Sequence, residues 1–270
     1  MKETQEESLP HSESMDNIGA DNRTKKPFSQ RMKKHLAQEV STDHADILML
    51  ICCLITGFLD STLYNAFKTF VSMQTGNTIF VALGASGQNN RPFGWARSLI
   101  SIAFFCIGSF TFSRCHRFFG PLQRGTLIAS FLLQSCCILL AASLVQSHVI
   151  EGTVPAGLLN YWNQVVPIAL LSFQAAGQIV SSRFLGVGEV PTIVITSLLC
   201  DLLSDPLLFS PVTENPKRNR RAIAFVLTLV GAIAGGWVSK ITKAVSPMLW
   251  VAGGFKIILT LGWGFWKRKV

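Results

Sequence analysis

Two short runs rich in hydroxyl and amide groups interrupt otherwise apolar sequence. The first reads Phe70-Val-Ser-Met-Gln-Thr-Gly-Asn-Thr-Ile-Phe-Val81, the second Val190-Pro-Thr-Ile-Val-Ile-Thr-Ser-Leu-Leu-Cys-Asp201. Thr75, Gly76, Asn77 and Thr78 form the densest polar cluster. A Gly can break a helix there, and freed backbone groups can bind an ion or a small polar solute; the same residues also suit a polar packing turn. Thr196, Ser197, Asp201 and Asp205 hold corresponding positions in the second run. Asp60, in Gly57-Phe-Leu-Asp60, lies within an apolar stretch. A carboxylate there faces protein or water, either as a binding group or as a structural hydrogen-bonding group. Gln174 and Gln178, one helical turn apart, can line a polar path or hold two helices together. Lys256 sits near the middle of the last apolar stretch and needs a partner, for which Asp60 and Asp201 are the candidates.

The elements that must position these groups follow from composition. Of 270 residues, 49% are hydrophobic and only 14% charged, with mean hydropathy +0.38. Soluble domains carry about 25% charged residues, so a water-soluble fold is excluded. The formal charge of +9 resides in the polar N-terminal stretch and the short loops, which fits membrane topology rather than nucleic-acid binding. Residues 1–45 are polar, and are expected to form a disordered cytoplasmic tail. Residues 46–270 are the expected transmembrane domain, with the run from Asp46 as its first anchor. The long apolar stretches are Asp46 to Phe67, Trp95 to Ser113, Gly125 to Gln146, Val165 to Ser182, Ala222 to Ser239 and Pro247 to Trp266. Each approaches the ~20 residues that cross a ~30 Å hydrocarbon core. Phe70 to Gly84 and Thr192 to Phe209 are the short members, so the chain reads as two sets of four, about 46–147 and 163–268.

Whether the short members cross is decided by charge. With both re-entrant and the N-terminus inside, the internal cytoplasmic loops hold eight Lys and Arg against five outside; with all eight crossing, they hold six against seven. The positive-inside rule therefore favours six spans over the eight-span alternative. Each half then has three spans, and the second half enters inverted. The expected fold is an all-α polytopic membrane protein of six spans plus two re-entrant or broken segments, with both termini cytoplasmic. Gly231 and Gly235 form a GxxxG pair suited to close helix packing, which leaves a homo-oligomer open.

Gly57-x-x-Asp60 followed by Phe70-Val-Ser-Met-Gln-Thr-Gly-Asn-Thr78 resembles the signature of the YoaK-like membrane family of unknown function (the domain-of-unknown-function 1275 family). Ser172-Phe-Gln-Ala-Ala-Gly177, Arg183, Pro191-Thr192 and Thr196 fall where that family has its Gln-containing helix and second Thr-rich segment. Ser197 departs from the Thr-Gly usual in that second copy. The resemblance runs from Ala45 to Arg268 and implies an integral, transporter-like membrane protein, without naming a substrate. The expected function is passage of a small polar solute or ion, lined by Asp60, Thr75, Gly76, Asn77, Gln174, Thr196, Ser197 and Asp201. The alternatives are a lipid-acting intramembrane enzyme and a membrane scaffold. There is no Walker loop, HExxH or serine-hydrolase elbow, and the histidines are scattered. No catalytic residue, cofactor or metal is therefore expected. The partners expected are the lipid bilayer and the solute, and the default compartment is the plasma membrane.

Overall fold

The computed structural model describes residues 28–88, 93–153, 162–188 and 195–269. The expected disordered tail up to residue 27, and residues 190–194 of the second short segment, lie outside the described residues. Among the described residues the chain is helical: α1 (Phe28–Leu36), α2 (Ala45–Phe67), α3 (Gln74–Ala85), α4 (Gly94–Phe119), α5 (Arg124–Gln146), α6 (Val165–Phe184), α7 (Ile195–Leu203), α8 (Pro216–Thr242) and α9 (Ser246–Phe265). Six of these, with α6 counted from Trp162, are long and apolar enough to span a membrane. They are α2, α4, α5, α6, α8 and α9, and the chain is a multi-pass membrane protein. α3 has 12 residues and α7 has 9, about 18 and 14 Å of helix, too short for a ~30 Å core.

Two helices run longer than their apolar stretches because polar groups cap or extend them. α8 begins at Pro216, where a missing N–H costs nothing, behind Asn215, whose side chain accepts the Arg218 N–H at 3.0 Å. α4 continues past Ser113 to Phe119.

Loop contacts fix the sidedness. The segment after α1 meets the C-terminal segment on one face, here the near face: Ser41 N–H donates to the Lys267 carbonyl, and Lys269 N–H to that of Glu39. On the far face, Val245 N–H donates to the Gly152 carbonyl. α2 ends and α4 begins on the far face, because Arg97 donates to the Phe67 carbonyl at 3.2 Å. The 68–93 excursion with α3 thus leaves and returns on that face. α6 ends on the near face, where Phe184 stacks on His116 of α4. α8 starts there too, with Arg220 paired at 2.8 Å to Asp46 in the first turn of α2. The excursion carrying α7 therefore opens to the near face.

Small residues set the packing. α2 and α8 run parallel, and a Cβ added at Gly57 would collide with the Thr228 carbonyl, one at Gly231 with that of Leu54. α4 and α6 form a second parallel pair, in which a Cβ at Gly108 would lie 2.7 Å from the Phe173 carbonyl and one at Gly177 2.6 Å from the Phe112 ring. α5 and α9 cross antiparallel between these pairs, with Phe131 against Trp263 at 5.8 Å. Close backbone approach of this kind replaces the hydrophobic drive that lipid removes.

Gly57→Ala and Gly231→Ala should each destabilise the detergent-solubilised protein by about 1–3 kcal/mol through overpacking. Gly236→Ala, which meets no atom within 4 Å, should be neutral. Melting followed by size-exclusion recovery checks this, and equal melting of all three would refute the packing account.

Candidate functional site

The polar residues singled out by sequence divide into two buried centres and an exposed remainder. The first centre surrounds the broken backbone between α2 and α3. α2 stops because Lys68 takes a left-handed conformation, φ 53°, with its N–H on the Tyr64 carbonyl. The chain then runs non-helically to Met73, and its freed polar groups must be satisfied inside the protein. Asp60 does part of this. One carboxylate oxygen accepts the N–H groups of Val71 at 2.9 Å and Ser72 at 3.1 Å, and the other accepts the Ser72 hydroxyl. Asn77, fully buried, does another part. Its oxygen accepts the Phe70 N–H at 3.1 Å, and its amide donates to the Phe70 carbonyl at 2.8 Å. Ser101 of α4 donates to that carbonyl at 2.9 Å and lies 2.8 Å from Ser172 of α6.

Gly76 is not where the helix breaks. It lies within the first turn of α3, and a Cβ there would sit 2.9 Å from the Phe70 ring. Its absence lets Phe70 stack on Tyr64 with centroids 4.7 Å apart. Thr75 and Thr78 are exposed on the outer surface of α3. A cavity of about 170 Å³ adjoins the clamp. Asp60 and Gly57 of α2, Phe70 and Met73 of the link, Thr228 of α8 and Ile195 at the start of α7 line it. The two short segments, arriving from opposite faces, thus reach the same cavity.

The rest of the second segment stays away from it. Thr196, Ser197 and Asp201 are exposed, and the Asp201 carbonyl accepts from Arg221. Asp205 belongs to a loop clasp: its carboxylate accepts from Asn215 at 2.9 Å and pairs with Arg221 at 3.2 Å. Arg218 donates to the Leu208 and Ser210 carbonyls at 2.7 and 2.6 Å. Gln174 is buried with its side-chain oxygen unpartnered, and is not among the cavity-lining residues.

The second centre is Lys256, 0% exposed. Its Nζ meets neither Asp60, whose carboxylate is taken up by the link, nor Asp201. It donates instead to the side-chain oxygens of Gln134 at 2.7 Å and Gln178 at 2.8 Å, and lies 5.2 Å from the centroid of the Phe131 ring. Gln178 passes the bonding on to Thr56 at 2.9 Å, and Gln134 to Ser130 at 3.2 Å. One network therefore joins α9, α5, α6 and α2. Gln178 acts as the helix-joining amide that its spacing allowed. Gln134 and Ser101 went unnoticed in the sequence; a lone Gln in an otherwise apolar span was the available signal for the first.

Lys256→Met leaves two buried amide oxygens short of a donor and should cost about 1–3 kcal/mol. Adding Gln134→Leu and Gln178→Leu should recover much of that, since removing both sides of a buried polar contact is far milder than removing one. Denaturant titration in mixed micelles measures it, and a Lys256→Met protein as stable as wild type would refute the role.

Among curated proteins and among solved structures, none matches the chain. A family described as a protein of unknown function (DUF1275) matches residues 48–262, a stretch that holds both polar centres and all six spans apart from their outermost turns. With most of its length matched, the chain belongs to the DUF1275 family.

Proposed function

We propose that this protein is a transporter-like carrier, not an enzyme, for a small polar solute or ion, and that its two halves form an inverted repeat. The observation that carries this reading is the cavity beside Asp60, reached by a broken segment from each face. Midplane sites flanked by discontinuous helices from two related halves are a recurring arrangement in secondary transporters.

The packing supports the repeat. Exchanging α2 with α6, α4 with α8 and α5 with α9 turns the α2–α8 pair into the α6–α4 pair and returns α5–α9 to itself. Gly57 and Gly177 are each the thirteenth residue of their helices, and Gln134 and Lys256 each the eleventh. In this reading the Gln134–Lys256 bond lies on the pseudo-two-fold axis, and rocking of one half on the other exposes the cavity to alternate faces. Asn77 and Gly76 act as positioning residues that hold the link, and Asp60 stands at the cavity wall. Thr75, Thr196, Ser197, Asp201 and Gln174 are left out of the lining.

The near face is assigned to the cytoplasm on the positive-inside count, with the plasma membrane as the default compartment. With native cysteines blocked, Ser147→Cys should react with an impermeant maleimide on intact cells, and Thr213→Cys only after permeabilisation. Both reacting from one side would refute the six-span sidedness.

Flux is tested in proteoliposomes against a panel of labelled monovalent cations, amino acids and polyols. Asp60→Asn keeps the shape and an acceptor for the link, and Ala232→Leu fills the cavity from α8. Both should fold and lose transport of any solute that wild type moves by about tenfold or more, a barrier change of ~1.4 kcal/mol. Wild-type flux no faster than empty vesicles across the panel, or flux untouched by both substitutions, would overturn the proposal.

A further inference from the structure

A larger cavity lies on the near face, between α1, α4 and α5. Its volume is about 500 Å³, within the roughly 300–1,000 Å³ of small-molecule sites. α1 roofs it. Gly125 lets the Leu36 backbone approach closely, and Arg124 straps the roof down by donating to Gln38 at 3.0 Å and to the Trp266 carbonyl at 2.6 Å. The walls are largely apolar, with Phe112, Phe119 and Leu133 among them.

Two features mark this cavity as more than a packing gap. His116 lines it and is 1% exposed, yet neither ring nitrogen has a hydrogen-bond partner. The Pro121 carbonyl approaches the ring without meeting hydrogen-bond geometry. A buried imidazole in that condition calls for a partner. The rim, moreover, is basic. Lys33 of α1 lines the cavity, and an adjoining groove that shares Cys115 and Phe119 adds Arg114 and Arg117. No acidic side chain lines either one.

An apolar chamber at the level of the membrane interface, with cations at its mouth and no acidic side chain in its lining, complements an acidic amphiphile. We propose that this cavity binds an acidic phospholipid. One acyl chain occupies the chamber between α4 and α5, and the headgroup phosphate lies at Lys33, Arg114 and Arg117. The site is separate from the Asp60 cavity and does not rest on the transport reading.

The test reconstitutes the full chain in phosphatidylcholine vesicles doped with a phosphatidylglycerol that carries a diazirine on its acyl chain. After irradiation, adducts are mapped by peptide. They should concentrate between Thr111 and Cys115 and between Thr126 and Leu133. Ala129→Trp, at an exposed position on the cavity wall, should lower them about tenfold, the loss of ~1.4 kcal/mol of binding. Lys33→Glu should erase the preference for the phosphatidylglycerol probe over a matched phosphatidylcholine probe. Excess inorganic phosphate should leave the labelling unchanged. Adducts spread evenly around the bundle, or unaltered by Ala129→Trp, would overturn the site. Equal labelling of wild type by both probes would overturn the acidic headgroup, and competition by phosphate would reassign the site to a soluble anion.

Discussion

At the centre of the bundle a lysine head group has no water to turn to. Its Nζ is held by Gln134 and Gln178, from two other helices, while a fourth helix is reached through Thr56. Such groups are expensive in hydrocarbon unless every partner is in place, so the network selects one arrangement of α2, α5, α6 and α9. The apolar surfaces around it could slide with little penalty, because lipid tails compete equally for them. Polar satisfaction at this point, more than apolar burial, fixes how the helices sit.

The same constraint explains the residues between α2 and α3. A helix that breaks at membrane depth exposes N–H and carbonyl groups that only protein can meet. Asp60 takes two N–H groups, Asn77 mimics a peptide against Phe70, and Ser101 and Arg97 reach the carbonyls from α4. The link is therefore held from three helices, and a cavity can persist beside it. At the other short segment, contacts at and beyond the end of α7 include the Arg221 bond to the Asp201 carbonyl, the Asp205–Arg221 pair and the Arg218 bonds.

The spans were legible because each is a long apolar run, and the charge count separated six from eight because the loops are short. Element ends were less so: the capping by Asn215 and Pro216 places α8 six residues ahead of the apolar run at Ala222. The importance of Asp60, Asn77 and Lys256 could be read from the cost of burying them. Their roles could not, since a role depends on which group is opposite. Lys256 invited a carboxylate, but Asp60 is occupied by backbone that local sequence gave no reason to place there. Gly76 invited a helix break, yet the break is set by a left-handed Lys68, a residue with no special liking for that conformation. Thr75 and Thr196 looked like lining because they sit in polar runs; a helix turns each residue by its own angle, and both face outward.

The pairing of α2 with α8 has a consequence for biogenesis. The glycine face of the first span is covered by a helix that begins at Pro216, so it stays bare until most of the chain has been made. The Gln134 and Gln178 oxygens wait longer still, because Lys256 arrives with the final span. Four spans, the α4–α6 pair among them, are therefore in the bilayer before the fifth covers the α2 glycines and the sixth supplies Lys256. During that interval a chaperone, or the insertion machinery itself, is the natural cover for the unfinished surfaces. The step that commits this protein to its native state is the arrival of its last two helices, not the insertion of its first.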